Sequence, residues 1–266
     1  MELETEYFWS LETVPKDYEV TIRRMKGLLD EAPVINFIKN FGKCIVIDLG
    51  IGTGRELEWM DKIESISEII GIDYSEPMIE FCKNVAKNCK KKVTLIKDDM
   101  TSLNSLEKIV KTRKETIIYV CLVNTLGNFL PEDRKKVVTS VKTLMKKYDR
   151  LVISMYKTLD KVPINIIPFP SHIQSATNEI KISELIEYAL GQMFWEPVFQ
   201  KYKQNPRFWY DEKENDVAIY VGDRKVFISH RWSKEEIEKL FNDAHLKIEN
   251  LIEGKLMYIV ICKRSD

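Results

Sequence analysis

The 266-residue sequence carries no excess of charge of either sign, because 41 lysines and arginines balance 41 aspartates and glutamates. Without net positive charge, no overall field draws the chain to nucleic acid or to an anionic membrane, although local basic patches are compatible with this balance. The sequence also lacks an apolar run of the roughly eighteen residues that a membrane helix needs. Its start, Met1 to Glu6, lacks the basic and apolar parts of a secretory leader. We therefore expect a cytoplasmic protein with no membrane partner, and nucleic acid is a disfavoured partner.

Residues that bind metals or form disulfides are sparse. The five cysteines include no Cys-x-x-Cys pair, and the three histidines are scattered along the chain. An odd number of cysteines in apolar surroundings favours buried reduced thiols over a disulfide framework. We predict no metal site. The 44% hydrophobic content is enough for a full core, in one large domain or in a domain with an inserted segment.

A glycine-rich loop is the most informative stretch of the chain. The β-branched run Cys44 to Ile47 ends in Asp48, and a helix-compatible stretch begins at Arg55. Glycine permits positive φ and lets a ligand lie against the main chain, while the helix start offers free N–H groups. The dinucleotide fingerprint requires another glycine where Arg55 stands, which argues against that ligand. The three glycines between the strand and the helix are Gly50, Gly52 and Gly54.

The stretch from Asp48 to Gly54 resembles the Asp-Leu-Gly-x-Gly-x-Gly loop of class I S-adenosylmethionine-dependent methyltransferases. An ordinary glycine-rich turn in an unrelated α/β protein is the alternative. The resemblance implies an α/β fold with a Rossmann-like seven-stranded sheet, helices on both faces and an inserted substrate lid. It also implies S-adenosylmethionine as cofactor and S-adenosylhomocysteine as product. The predicted parts are an N-terminal helical cap (1–32), a cofactor-binding domain (33–156 and 231–266) and the lid (157–230).

Polar residues at the ends of the next strands fit one adenosine. Asp73 ends the second predicted strand nineteen residues after Gly54, where a carboxylate that binds both ribose hydroxyls is expected. The resemblance implies that Met78 packs on adenine, with plain core packing as the alternative. It also implies that Asp99 and the Met100 N–H bind the adenine edge. The predicted cofactor-binding residues are Asp48, Gly50, Gly52, Gly54, Asp73, Tyr74, Met78, Asp99, Met100 and Asn124.

A second resemblance follows the fourth predicted strand. Thr-Leu-Gly-Asn-Phe-Leu-Pro at 125–131, with Arg134 three residues on, is similar to a stretch of the histidine Nα-methyltransferases of ergothioneine synthesis. It covers about a dozen residues, 123–134. It implies a small-molecule amine acceptor, while a shared way of closing this loop is the alternative. The strand end lacks the Asn/Asp-Pro-Pro-Tyr/Phe tetrapeptide of many enzymes that methylate nucleobases or glutamine, which disfavours those acceptors.

The reactive side of the cleft is predicted from strand ends and from aromatic segments. Together these features predict methyl transfer by in-line displacement to a nitrogen or oxygen of a small molecule. The alternatives are a protein or RNA acceptor, or a module that binds the cofactor without catalysis. For the N-terminal tyrosines Tyr7 and Tyr18, core packing is the alternative to substrate binding. The sequence singles out no general base. The predicted catalytic residues are Asn124, Tyr156 and His230, and the predicted substrate-binding residues are Tyr7, Tyr18, Asn128 and Arg231.

Overall fold

The computed structural model describes residues 8–24, 29–158, 161–163, 179–181, 191 and 194–265. Strands and helices alternate through the first half of these ranges, as the sequence predicts. The strands are β1 (Cys44–Leu49), β2 (Ile66–Asp73), β3 (Lys92–Lys97), β4 (Thr116–Cys121), β5 (Arg150–Tyr156), β6 (Lys161–Pro163), β7 (Glu179–Lys181), β8 (Arg207–Asp211), β9 (Asp216–Val221), β10 (Arg224–His230), β11 (Leu246–Glu253) and β12 (Met257–Arg264).

Seven of these strands form the main sheet, in the order β3-β2-β1-β4-β5-β12-β11. Strands β1 to β5 are parallel, and β12 runs antiparallel to both β5 and β11. The strand order reverses between β1 and β4, so the loops after these two strands diverge and leave a crevice at their carboxyl ends. The predicted Rossmann-like seven-stranded sheet is confirmed, and its crevice lies beside the glycine loop.

The described ranges contain seven helices and one 3-10 helix with defined ends. They are α1 (Val14–Arg24), α2 (Glu31–Phe41), α3 (Leu57–Met60), α4 (Glu76–Ala86), α5 (Asn104–Thr112), the 3-10 helix (Thr125–Asn128), α6 (Pro131–Leu144) and α7 (Lys234–Asp243). Residues 194–202 are also helical. None of the helices in the described part of the chain has the length and apolar content that a bilayer crossing requires.

Both faces of the sheet are buried, because helices cover each of them. Along β1, Ile45 and Ile47 belong to the core shared with α5, α6 and α7, while Val46 belongs to the core shared with α2, α3 and α4. A parallel sheet covered in this way needs apolar residues at successive positions, which is the pattern of Cys44 to Leu49.

Local signals set several element boundaries correctly. The Ser75 hydroxyl caps α4 by accepting a hydrogen bond from the Met78 N–H at 3.3 Å, with Pro77 in the first turn. Ser233 and Glu236 form the predicted capping box of α7. Apolar residues at helical spacing over 20–29 predict an N-terminal helix there, but α1 begins earlier, at Val14, because Pro15 is compatible with a first turn. The pattern over 183–194 also predicts a helix, and most of that stretch lies outside the described residues.

The segment between β5 and α7 contains a second sheet, in the order β10-β9-β8. The hairpin predicted around Gly222 is present, and β8 adds a third strand to it. The two ends of the segment meet, since the Thr158 N–H donates to the Trp232 carbonyl at 3.1 Å. On the other side, Phe194 packs against Phe8 with ring centroids 4.8 Å apart. The N-terminal residues therefore contact this segment directly.

Candidate cofactor and substrate site

The three glycines of the loop after β1 serve two purposes. All three have positive φ, at 79°, 52° and 81°. A Cβ on Gly50 would lie 2.4 Å from the Thr125 side chain, and one on Gly54 would lie 2.6 Å from the Cys82 sulfur, so these two glycines permit close packing. A Cβ on Gly52 would meet nothing closer than 4.0 Å. Gly52 therefore borders open space in which a ligand can lie against the backbone.

Asp73 connects the end of β2 to this loop. One carboxylate oxygen accepts a hydrogen bond from the Gly52 N–H at 2.9 Å, and the other accepts one from the Ser75 N–H at 2.9 Å. Burial raises the pKa of Asp73 to about 6, although these backbone donors oppose the shift. The Tyr74 N–H also acts on this carboxylate, which still keeps acceptor capacity for a ribose hydroxyl.

The cleft beside the loop holds more buried acidic groups than basic ones. The Asp48 Oδ2 atom is buried and has no hydrogen-bond partner among the described residues. Burial raises the pKa of Asp48 well above its ordinary range, and the neighbouring Glu56 carboxylate adds to the shift. The Arg55 guanidinium is the nearby cation, and it is already paired with Glu31 and Glu56. This surplus fits a positively charged ligand, such as the ammonium and sulfonium of S-adenosylmethionine, better than an anionic dinucleotide.

The end of β3 presents two aspartates in different roles. The sequence predicts a solvated side chain for Asp98, beside Asp99, but the Asp98 carboxylate caps α5 by accepting the Ser105 N–H at 2.8 Å. Asp99 is exposed and accepts hydrogen bonds from the N–H and hydroxyl of Thr101, at 2.8 and 2.7 Å. Met100 is buried beside it. Asp99 thus remains accessible at the strand end where the sequence predicts it.

Asn124 joins three parts of the chain. Its amide nitrogen donates to the Ser229 hydroxyl and the His230 carbonyl, and its amide oxygen accepts from the Tyr156 N–H and the Trp232 indole, all at 3.0 Å. These four bonds use the full hydrogen-bonding capacity of a primary amide. The side chain therefore cannot also bind substrate or cofactor, and we assign Asn124 to holding the cleft together.

His230 is likewise engaged by protein groups. Its Nδ1 lies 2.7 Å from Asp216 and its Nε2 lies 3.6 Å from Glu236. Burial lowers the pKa of His230, but hydrogen bonds to the two carboxylates outweigh it and raise the pKa overall. The ring is buried with both nitrogens facing carboxylates. His230, predicted as a catalytic residue, therefore belongs to an ion network beneath the hairpin, and both ring nitrogens are engaged there.

Arg134, the last residue of the second sequence resemblance, belongs to the same network. Its Nε donates to the Phe129 carbonyl at 2.8 Å, and its guanidinium lies 3.5 Å from Asp216. It also lies over the Trp232 ring, 5.2 Å from the centroid. In this chain the arginine therefore closes the loop after β4 and ties it to the second sheet.

Three of the predicted catalytic and substrate-binding residues do converge. The Arg231 guanidinium lies over the Tyr156 ring, 4.3 Å from its centroid. Burial raises the pKa of the Tyr18 phenol, Arg55 opposes this, and Tyr156 is close enough to contribute. Tyr156 and Arg231 are thus in contact, and Tyr18 lies in the neighbourhood of Tyr156 and Arg55. Asn128 is half-buried at the end of the 3-10 helix, and Tyr7 lies outside the described residues.

The N-terminal residues supply contacts that the sequence did not reveal. The Glu19 carboxylate on α1 accepts a hydrogen bond from the Thr53 hydroxyl within the glycine loop at 2.6 Å. The Trp9 carbonyl accepts one from Ser75 at 2.6 Å. Trp9 belongs to an aromatic run that the sequence marks, but Glu19 is a single acidic residue on an amphipathic helix and carries no such signal. Together they hold the N-terminal segment over the loop.

The seven-stranded α/β sheet, with a glycine loop and an acidic cleft at its switch point, is consistent with a class of protein, the S-adenosylmethionine-dependent methyltransferases. The match of residues 40–244 to the family model described as a methyltransferase domain covers more than half of the chain, and the protein belongs to this family. It is accordingly an enzyme that uses S-adenosylmethionine. No curated protein matches the sequence.

Solved structures share the fold at low sequence identity. A methyltransferase from Clostridium acetobutylicum has a TM-score of 0.61 at 15% identity, over 94% of this chain and 98% of that one. CcbJ methyltransferase from Streptomyces caelestis has a TM-score of 0.61 at 11% identity, over 98% and 99%. A 1,6-didemethyltoxoflavin-N1-methyltransferase from Burkholderia thailandensis, with S-adenosylhomocysteine bound, has a TM-score of 0.57 at 11% identity, over 100% and 92%. These likenesses concern the fold.

Proposed function

We propose that this enzyme methylates a nitrogen or oxygen of a small-molecule acceptor. The observation that carries the proposal is the cover over the glycine loop. Residues 8–24 are fixed to the loop through Glu19 and to the start of α4 through Trp9, and they also pack on the segment that follows β5. A cleft covered from both sides suits a small acceptor better than a protein or an RNA. The balanced charge of the chain agrees, because it provides no general attraction for RNA.

We assign the adenosine-binding roles to the loop and strand ends. Asp73 would hold the ribose, Asp99 and the Met100 N–H the adenine edge, and Met78 the adenine face, with Tyr74 beside them. Asp48 and Glu56 would face the positive charges. The backbone around Gly52 would lie against the methionine part of the cofactor, because glycine has no side chain to fill that space.

The main contribution of the protein to the reaction is to orient the acceptor toward the methyl group. S-adenosylmethionine supplies a methyl group on a positively charged sulfur. As the acceptor lone pair forms its bond to that carbon, the carbon–sulfur bond breaks and its electrons remain on sulfur. Tyr18 and Tyr156 would hold the acceptor in line with this bond and exclude water. An acceptor that arrives as an ammonium must first lose a proton, and we assign no residue to that step.

The 1,6-didemethyltoxoflavin-N1-methyltransferase named above acts on a small molecule, which supports the proposal by analogy of fold. The test has two stages. Calorimetric titration with S-adenosylmethionine, S-adenosylhomocysteine and NAD is expected to show binding of the first two alone. Transfer of radiolabelled methyl groups is then measured with small amines and acids, with total cell RNA and with total cell protein. Label in RNA or protein but in no small molecule would refute the proposal, and binding with no transfer at all would indicate a non-catalytic module.

A further inference from the structure

Arg231 is a cation in the interior without an acidic partner. Its side chain is half-buried, its Nε is fully inaccessible, and that atom has no hydrogen-bond partner among the described residues. No carboxylate in the described part of the chain lies within ion-pairing distance of it. Two arginines that are more deeply buried differ from it, since Arg55 is paired with Glu31 and Arg134 lies 3.5 Å from Asp216. A half-buried guanidinium without a counter-charge keeps N–H donors available, which suits an anionic ligand.

The backbone around Arg231 is fixed on both sides. Its own N–H donates to the Asn215 carbonyl at 2.7 Å, and the following Trp232 N–H donates to the Tyr156 carbonyl at 2.8 Å. The guanidinium lies on the Tyr156 ring, and the Tyr210 phenol is near. Phenols are neutral at physiological pH, so neither tyrosine balances the positive charge. The fold therefore fixes the backbone of Arg231, while the positive charge of its guanidinium stays unbalanced.

We propose that Arg231, stacked on Tyr156, binds a carboxylate group of the methyl acceptor, so that the acceptor is a small carboxylic acid. This inference rests on the proposed function and specifies its substrate class. A planar guanidinium presents a fork of N–H donors that matches a carboxylate in geometry. One cation also balances one carboxylate, whereas a phosphate dianion would call for a second positive group. Since Tyr156 ends β5 and approaches Tyr18 and Arg55, the anchored acid lies beside the cofactor cleft.

The experiment compares acids with their amides. Methyl transfer is measured for a panel of amino acids and hydroxybenzoic acids and for the corresponding primary amides, which keep the nucleophile and lose the charge. We expect transfer to at least one acid, and about 10- to 100-fold less to its amide, as for loss of a charge-assisted hydrogen-bond pair. Arg231→Gln should lower kcat/KM for that acid by a similar factor, mainly through KM, and Arg231→Lys should lower it less.

Matched controls separate a failed subsite from a failed fold or function. Arg207→Gln removes an exposed arginine that stacks on Trp209 and Tyr220 in the same segment, and it should leave transfer unchanged. Arg231→Gln should still bind S-adenosylhomocysteine with unaltered affinity, which shows that the variant is folded. Transfer to no acid in the panel, or equal transfer to acid and amide, would overturn the subsite. If the unmodified protein did not bind S-adenosylhomocysteine, that result would instead refute the proposed function itself.

Discussion

At the scale of single residues, the ribose-binding role proposed for Asp73 predicts that cofactor binding depends on pH. Its pKa of about 6 means that it is ionised at pH 7.5 and mostly protonated at pH 5, where it loses acceptor capacity toward ribose hydroxyls. We expect S-adenosylhomocysteine to bind about tenfold more weakly at pH 5 than at pH 7.5, as calorimetry would measure. Asp73→Asn should bind weakly at every pH and lose the inflection near 6. An unchanged inflection in that variant would assign the titration to another group, such as Asp48.

Asn124 shows how one residue can serve both backbone and packing. It has φ of 60°, a region that asparagine and glycine tolerate best, and its side chain makes four hydrogen bonds. Asn124→Gly keeps the backbone and removes the bonds, and we expect it to lower the free energy of unfolding by about 3 kcal/mol. Asn124→Ala should cost about 1 kcal/mol more because of the backbone. Urea denaturation measures both, and a loss below about 1 kcal/mol for Asn124→Gly would contradict the role assigned here.

At the scale of elements, α1 covers the glycine loop and is attached to it by the hydrogen bond between Thr53 and Glu19, which can be tested. Thr53→Val removes the hydroxyl that donates to Glu19 and keeps the shape of the side chain. Hydrogen exchange followed by mass spectrometry should then show about tenfold faster exchange in α1, with β1 to β5 unchanged. Thr143→Val, which removes a local hydrogen bond of 2.9 Å on the exposed face of α6, is the control and should leave α1 unchanged. Equal exchange in α1 for both variants would show that this contact does not hold the cover.

The elements that the sequence predicts well are those whose signals are local. The Ser75 and Ser233 caps, the apolar run of β1 and the turn at Gly222 each depend on residues a few positions apart. Asp73 was also placed correctly at a strand end beside the glycine loop, because parallel strands bring their carboxyl ends to one edge.

The predictions that needed correction depend on distant partners. Asn124 bonds to Ser229, 105 positions away, and His230 finds one of its two carboxylates on α7. The sequence predicts both as catalytic from their places at a strand end and in the aromatic segment. A side chain's remaining hydrogen-bonding capacity is a property of the folded site, and residue type alone does not reveal it.

At the scale of the whole molecule, the free energy of unfolding depends on pH through the cleft carboxylates and, in the opposite direction, through Glu236. Near the cleft, Asp48, Glu56 and Asp73 have raised pKa values, chiefly through burial. A raised folded pKa contributes stability that is present below the unfolded pKa and lost as pH rises through the folded one. Glu236 has its pKa lowered to about 2, first by its hydrogen bond to His230, so its contribution is lost only as pH falls toward 2. The ligand-free enzyme should therefore be most stable in mildly acidic solution.

The roles proposed for these carboxylates require their ionised form, so the cofactor should compensate for the cost of ionising them. For Asp73 alone, a shift from 3.8 to about 6 corresponds to a total loss of about 3 kcal/mol as pH rises, most of it between pH 4 and pH 8. We expect the free energy of unfolding of the ligand-free protein to fall from pH 5 to pH 8, and saturating S-adenosylmethionine to stabilise the protein more at pH 8 than at pH 5. Urea denaturation across this range, with and without cofactor, measures both slopes. Asp73→Asn should flatten both, whereas Asp243→Asn, an exposed change on α7, should flatten neither. A ligand-free protein whose stability rises toward pH 8 would show that the buried acids of the cleft are not held at raised pKa.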